Sequence, residues 1–343
     1  MDVLEKNNCL TIHGLLITMV AGMAWWMLMA SVVRAEQIPI TFTAKVVNVQ
    51  VAKDDEREAW TFGGGMPGPV IRVKEGDVVN FTLKNEADRV HSIDFHAAKT
   101  PWDKHFQGIA NGMETTFTWK ADYPGIFYYH CGTDPMIQHI ANGMFGAIIV
   151  EPKQAMVKPD REYVIVQSEI YPSAFDVDAM MEGRPKFVVF NGRANRYVDE
   201  PLEARPGERI RLYVVNAGPN HFSAFHVIGG IFDQVYESGN PKNVLHGVQT
   251  HTIAPGGAAI LDLVVPVEGL YPIVTHSLSD ALTGALGLIN VSNTVQQPMA
   301  NDQEDKITHM RPVSLPIEAT VEDTARLKNE ACSWMQHGHG RGC

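Results

Sequence analysis

From Ile38 the chain breaks into short, apolar, β-type runs punctuated by glycine and proline. Ile40–Val49, Val70–Val73, Val78–Lys84, Thr115–Trp119, Ile126–His130 and Ala147–Val150 come first. Tyr163–Ser168, Lys186–Phe190, Ile210–Val215, Ala258–Val265 and Leu286–Val291 follow. Strands at this spacing predict an all-β protein built as Greek-key sandwiches or barrels. A helical pattern stands out only over 320–332. Ahead of the strands, Leu10–Val33 is one apolar run holding His13 and no charge, followed by Arg34 and Ala35. Val33 and Ala35 are small residues at the positions an export peptidase reads, so 1–35 is expected to be an export signal. The run is also long enough to span a bilayer as an uncleaved anchor. Either way, the folded part is expected in the periplasm.

The pattern repeats. Gly76-Asp77-Val78-Val79, with Asn85, His91 and His96, matches Gly207-Glu208-Arg209-Ile210, with Asn216, His221 and His226, at identical internal spacing. Gly143-Met144-Phe145-Gly146 matches Gly284-Ala285-Leu286-Gly287. A fixed-offset repeat implies two copies of one β domain, placed at 36–152 and 160–294, with a polar tail over 295–343. A chain of 343 residues has the length for two such domains.

Composition adds limits more than leads. With 45% hydrophobic and 20% charged residues, the chain is not a disordered one. A formal charge of −11 argues against a nucleic-acid partner and suits steering toward a basic one. The four cysteines make no disulfide framework, although Cys332 and Cys343 could pair. No Cys-x-x-Cys-His occurs, so no covalently held c-type haem is expected.

The chemistry gathers around Pro124–Gly146. A strand ends in His130-Cys131, and His139 and Met144 return within one loop. Imidazole, thiolate and thioether are soft donors suited to copper, and a blue-copper site needs one more histidine. His91-Ser92-Ile93-Asp94-Phe95-His96 can supply it. Side chains alternate along a strand, so His130 and Cys131 should face opposite ways and serve different metals. By the same parity Asp94 and His96 share a face and His91 takes the other. The second repeat has lost the cysteine, and Ala285 replaces Met144, so it cannot hold a blue copper; it keeps His221, His226 and His276.

Taken together, His91-x-x-Asp94-x-His96, His130-Cys131 with His139 and Met144, and Thr275-His276-Ser277 resemble the copper-containing, nitric-oxide-forming nitrite reductases, over about residues 40–292. The resemblance implies two tandem cupredoxin-like domains. It implies a type 1 copper on His91, Cys131, His139 and Met144, and a type 2 copper on His96, His130 and His276. Electrons would enter at the first and pass to the second, where nitrite becomes nitric oxide and water. Asp94 becomes the acid beside the type 2 site. A homotrimer follows as well, with His276 donated by a neighbouring subunit, and a separate small donor, a c-type cytochrome or a cupredoxin. Two departures stand out. The stretch from Cys131 to His139 is one residue shorter than in many members. Ile231, where a catalytic histidine often stands, follows Gly229-Gly230. His226, the repeat counterpart of His96, is therefore expected in that role, with His246 the runner-up. A two-domain laccase-type oxidase would need His-x-His pairs, which the folded region lacks. A blue-copper electron carrier would leave His96, His130 and His276 without purpose.

Overall fold

The computed structural model describes residues 37–296. The apolar run Leu10–Val33, Cys9, the 320–332 segment, Cys332, Cys343 and the His337-Gly338-His339 tail lie outside the described residues. Among the described residues no helix is long and apolar enough to cross a membrane.

The first half contributes β1 (Gln37–Ala52), β2 (Asp55–Phe62), β3 (Ile71–Lys74), β4 (Val78–Asn85), β5 (Asp94–Phe95), β6 (Glu114–Lys120), β7 (Gly125–His130) and β8 (Phe145–Glu151). The second half contributes β9 (Arg161–Ile170), β10 (Phe187–Phe190), β11 (Leu202–Ala204), β12 (Arg209–Gly218), β13 (Ser223–Val227), β14 (Phe232–Glu237), β15 (Val244–Val248), β16 (Thr250–Ile253), β17 (Ala258–Val264), β18 (Gly269–Thr275) and β19 (Leu286–Val291). Helices are short: α1 (Trp102–His105), α2 (Met136–Ala141), α3 (Val177–Met181), α4 (Arg196–Asp199) and α5 (Leu278–Thr283). The first half forms two sheets, ordered β2-β1-β4-β6 and β3-β8-β7-β5; the second forms β10-β9-β12-β17-β14-β15 and β11-β19-β18-β13-β16.

Each half has its own apolar centre. In the first, Val79, Phe81 and Leu83 point inward from β4 at every second residue and meet Phe42, Phe95, Phe117 and Tyr129. Phe81 stands edge-on to Phe95 with ring centroids 4.7 Å apart, a favoured aromatic geometry. In the second, Ile210, Leu212 and Val214 of β12 meet Phe190, Phe225 and Leu261. Yet β12 is buried at nearly every position rather than at alternate ones. Its other face, Tyr213, Val215 and Ala217, packs on Ile126, Tyr128, Ala147 and Ile149 of β7 and β8. Strands covered on both faces read as continuous apolar runs. Full burial of each such aliphatic side chain is worth roughly 1.5–3 kcal/mol, so this contact fixes the second half against the face of β7 that ends at His130, one residue before Cys131.

The repeated residues have the same duties in both halves. Gly76 and Gly207 take positive φ (102° and 81°) at a turn. Beside them, Asp77 accepts from the Lys74 amide and Glu208 from the Arg205 amide, each at 2.8 Å. Asn85 donates to the carbonyls of Arg89 and Ile109 and accepts from the Ala87 amide. Asn216 does the same with His221, Ile253 and Gly218. Each asparagine thus ties down the loop that presents the first histidine of its repeat. Gly146 and Gly287 are glycines for want of room: a Cβ would stand 2.3 Å from the Tyr129 hydroxyl or 2.5 Å from Tyr197 Cβ.

Candidate metal centres

Two groups of donor atoms form in the first half: His91, Cys131 and His139, and Asp94, His96 and His130. The elements between them explain the partition. The strand expected over 91–96 is only two residues long, Asp94–Phe95, paired with His130 and Tyr129. His91 is placed instead by a bridge to Ile109 and by the Asn85 clamp. It still ends beside Cys131, while Asp94 and His96 end beside His130. The outcome of the parity argument therefore holds, although the regular strand it assumed does not exist.

In the first group every side chain is buried. His91 Nδ1 lies 3.1 Å from His139 Nδ1, and Cys131 Sγ lies 3.2 Å from the same His139 nitrogen. Burial, then the neighbouring His139, pushes the His91 pKa down to about 3; burial takes His139 to about 4. Both rings are neutral at ordinary pH and turn nitrogens toward a thiol. Burial pushes that thiol's pKa up, against hydrogen bonds from Ser92 and Thr133. A buried thiol with two neutral imidazoles becomes a thiolate when a soft cation joins it, so the donor set fits copper. The Ser92 amide points at Cys131 Sγ (3.4 Å), and Ser92 Oγ accepts from the Gly132 amide at 3.0 Å, which holds the thiol in place. Met144 is fully buried in the same apolar cluster as Cys131, and the Cys131 amide donates to its carbonyl at 3.0 Å. His139 comes from α2.

The second group opens to the surface. His130 Nδ1 donates to the Cys131 carbonyl at 2.9 Å. The neutral tautomer then directs the Nε2 lone pair at His96 Nε2, 3.2 Å away, an arrangement that a shared cation satisfies. Burial lowers the His130 pKa, and desolvation with the neighbouring His130 lowers that of His96. Asp94 Oδ2 stands 3.8 Å from His130 Nε2. Tyr128, which the motifs did not single out, stacks on His130 (4.8 Å, 28°) and meets His96 edge-on (5.2 Å, 85°). Its hydroxyl donates to the Ala217 carbonyl of the second half at 3.3 Å. Alternation along β7 could have pointed to it, because Tyr128 and His130 share a face.

His276 is not in this group. It is exposed, directly after β18, with its ring 5.2 Å from that of His226. His226 donates from Nδ1 to the Gln249 carbonyl. His246 lies on the exposed strand β15, opposite Gln234. The corresponding positions of the second half carry other side chains. Asp280 stands five residues before Ala285, as His139 stands before Met144, and the Ala285 and Met144 amides donate to those residues' carbonyls. His221, counterpart of His91, is paired with Asp280 at 3.0 Å and donates from Nε2 to the Gly183 carbonyl. An ion pair stands where the first half has two facing imidazoles.

A sequence profile described as multicopper oxidase matches residues 43–155. A copper-containing nitrite reductase of Neisseria meningitidis is 42% identical over 250 residues, covering 69% of this chain. The chain spans 64% of that relative's length. One from Pseudomonas chlororaphis is 31% identical over 286 residues, covering 74% of this chain and 78% of its own. A solved copper nitrite reductase from Nitrosomonas europaea superposes with a TM-score of 0.76 at 44% identity, covering 80% of this chain and 100% of that one.

Proposed function

The chain belongs to the family of copper-containing nitrite reductases, and on that premise we propose that it reduces nitrite to nitric oxide and water, one electron and two protons per turnover. The observation that carries this reading is the pair of unlike donor groups joined at His130-Cys131: one buried and sulfur-containing, one open and built from imidazoles and a carboxylate. Copper on His91, Cys131, His139 and Met144 would supply one-electron storage, and copper on His96, His130 and His276 a Lewis-acidic site for nitrite.

The protein's own contribution is placement and protons. His130 keeps its Nδ1 proton on the Cys131 carbonyl, so Nε2 stays available as a ligand. The same hydrogen bond closes a short route between the two groups through one residue's backbone. Tyr128 holds both histidine rings at fixed inclination. Asp94 reaches the open side of His130 from a partly exposed position and serves as the proton donor, with His226 as the second acid–base group.

Among the described residues the imidazole group gathers two histidines and one carboxylate, and His276 lies exposed elsewhere. We assign the third ligand to His276 of a neighbouring subunit in a closed trimer, one copper of each type per subunit. The apolar run read in the sequence as an export signal or an uncleaved anchor supports a periplasmic enzyme, and we assign it a small c-type cytochrome or cupredoxin as electron donor. Copper analysis tests the reading: about two coppers per chain with both electron paramagnetic resonance signals, and nitric oxide formed from nitrite with an artificial donor. About four coppers would make the chain a laccase-type oxidase, and about one a carrier; either overturns the proposal.

A further inference from the structure

Behind the sulfur-containing group lies a stack that the reaction scheme does not use. Trp60 is buried, with its ring 5.0 Å from that of His139 and 6.1 Å from that of His91. Its indole nitrogen donates to Glu58 at 3.4 Å. The Arg89 guanidinium sits over the indole, 4.0 Å from the ring centroid, and 5.8 Å from the exposed ring of Phe175. Arg89 is gripped on both sides. Asn85 fixes its carbonyl at 2.7 Å, and Asp88 accepts from its Nε and a terminal nitrogen at 2.8 and 3.1 Å. The Arg89 side chain is 25% exposed and that of Asp88 70%.

The two charges are therefore unequal in effect. Arg89 stacks on a buried indole that also meets both histidine rings, surroundings that screen poorly. Asp88 faces water and salt, which screen it well. Adding an electron to a copper–thiolate site adds negative charge there, and a fixed cation close by favours the reduced form. Residues outside the ligand set tune metal sites by such fields, and the cation–π contact holds the guanidinium at a fixed distance.

We propose that Arg89, acting through Trp60, is a positioning residue that raises the reduction potential of the His91–Cys131–His139 site, with Asp88 opposing it weakly. The proposal rests on the reading of that group as a type 1 copper site. The test is a spectroelectrochemical titration of the blue absorbance in the copper-loaded full chain, against a mediator of known potential. Arg89→Gln should shift the equilibrium toward the oxidised form by about tenfold, about 59 mV for a one-electron couple. Asp88→Asn should shift it the other way by a smaller factor that shrinks further in high salt. Arg89→Lys, which keeps the charge and loses the flat stack, should fall between wild type and Arg89→Gln. Blue absorbance at full strength with an unchanged or raised potential in Arg89→Gln overturns the proposal. So does a shift of the same sign in Arg89→Gln and Asp88→Asn, because a merely structural disturbance has no reason to follow charge. A wild-type protein that binds copper without the blue band refutes the underlying site reading instead, and the proposal with it.

Discussion

Asp94 and His226 are the side chains on which the proposed proton chemistry turns, and their surroundings differ. Asp94 Oδ2 is 3.8 Å from His130 Nε2, beyond a direct hydrogen bond but within reach of an oxygen held between them. Asp94→Asn should keep copper at both sites and lower kcat by about 10² or more, the scale for losing a positioned proton donor. Wild-type turnover with both signals intact would reduce the carboxylate to a structural part. His226 lies beside His276, whereas His246 sits on an exposed strand. Replacing His226 should therefore change the pH–rate profile, and replacing His246 should leave it unmoved. The reverse result would transfer the role.

At the level of elements, the two asparagine clamps show what the repeat shares and the His221–Asp280 pair where its copies differ. Asn85→Ala would leave the Arg89 carbonyl and the Ala87 amide without their partner, while the Ile109 carbonyl keeps the His91 amide, at a cost of roughly 2–4 kcal/mol. Urea unfolding measures that loss, and the blue band should weaken with it because the Asn85 loop carries His91. Asn216→Ala should cost a similar amount and leave the blue band unchanged. Equal damage to the band from both would show that the clamp does not position His91. Burial works against charging His221, but the Gly183 carbonyl and the carboxylates of Glu169 and Asp280 outweigh it, and its pKa is raised. A raised pKa gives stability that is fully present below about pH 6.5 and is lost as pH rises through the folded value. The melting temperature of wild type should exceed that of His221→Gln most in mildly acidic buffer, and the gap should narrow above the raised pKa. A gap that widens with pH would mean His221 is neutral in the folded protein.

For the whole molecule, the proposed trimer turns on His276. His96 and His130 face each other at the surface of the first half and His276 is exposed in the second, and the proposal joins them across subunits. His276→Ala should keep the blue type 1 signal, lose the type 2 signal and lose nitrite reduction. A monomer of the wild-type chain, by light scattering, with both coppers and full activity would remove both the ligand and the trimer.

Much of this protein is written locally and can be read from the chain. Runs such as Val78–Lys84 and Leu286–Val291 are strands because their own apolar residues require a buried face. The glycine–asparagine repeat is legible because each residue acts within its own turn or loop. The donor types are equally local, since thiolate, imidazole and thioether are side chains that suit copper. Other parts were settled by distance in space. Asp55–Phe62 opens with Asp55-Glu56-Arg57-Glu58 and does not look like a strand; pairing with β1 makes it one. Strands β13 to β16 and β18 pass unnoticed because their sequences are short, polar or glycine-containing, and neighbouring strands supply the order. The sides on which His91 and His96 emerge depend on a two-residue strand and a clamped loop rather than on regular alternation. Tyr128 between two histidines, Trp60 against two others and Arg89 above it come from separate strands and loops. Apart from the alternation that sets Tyr128 beside His130 on β7, no spacing along the chain encodes such contacts, because each is made only when the sheets close on one another.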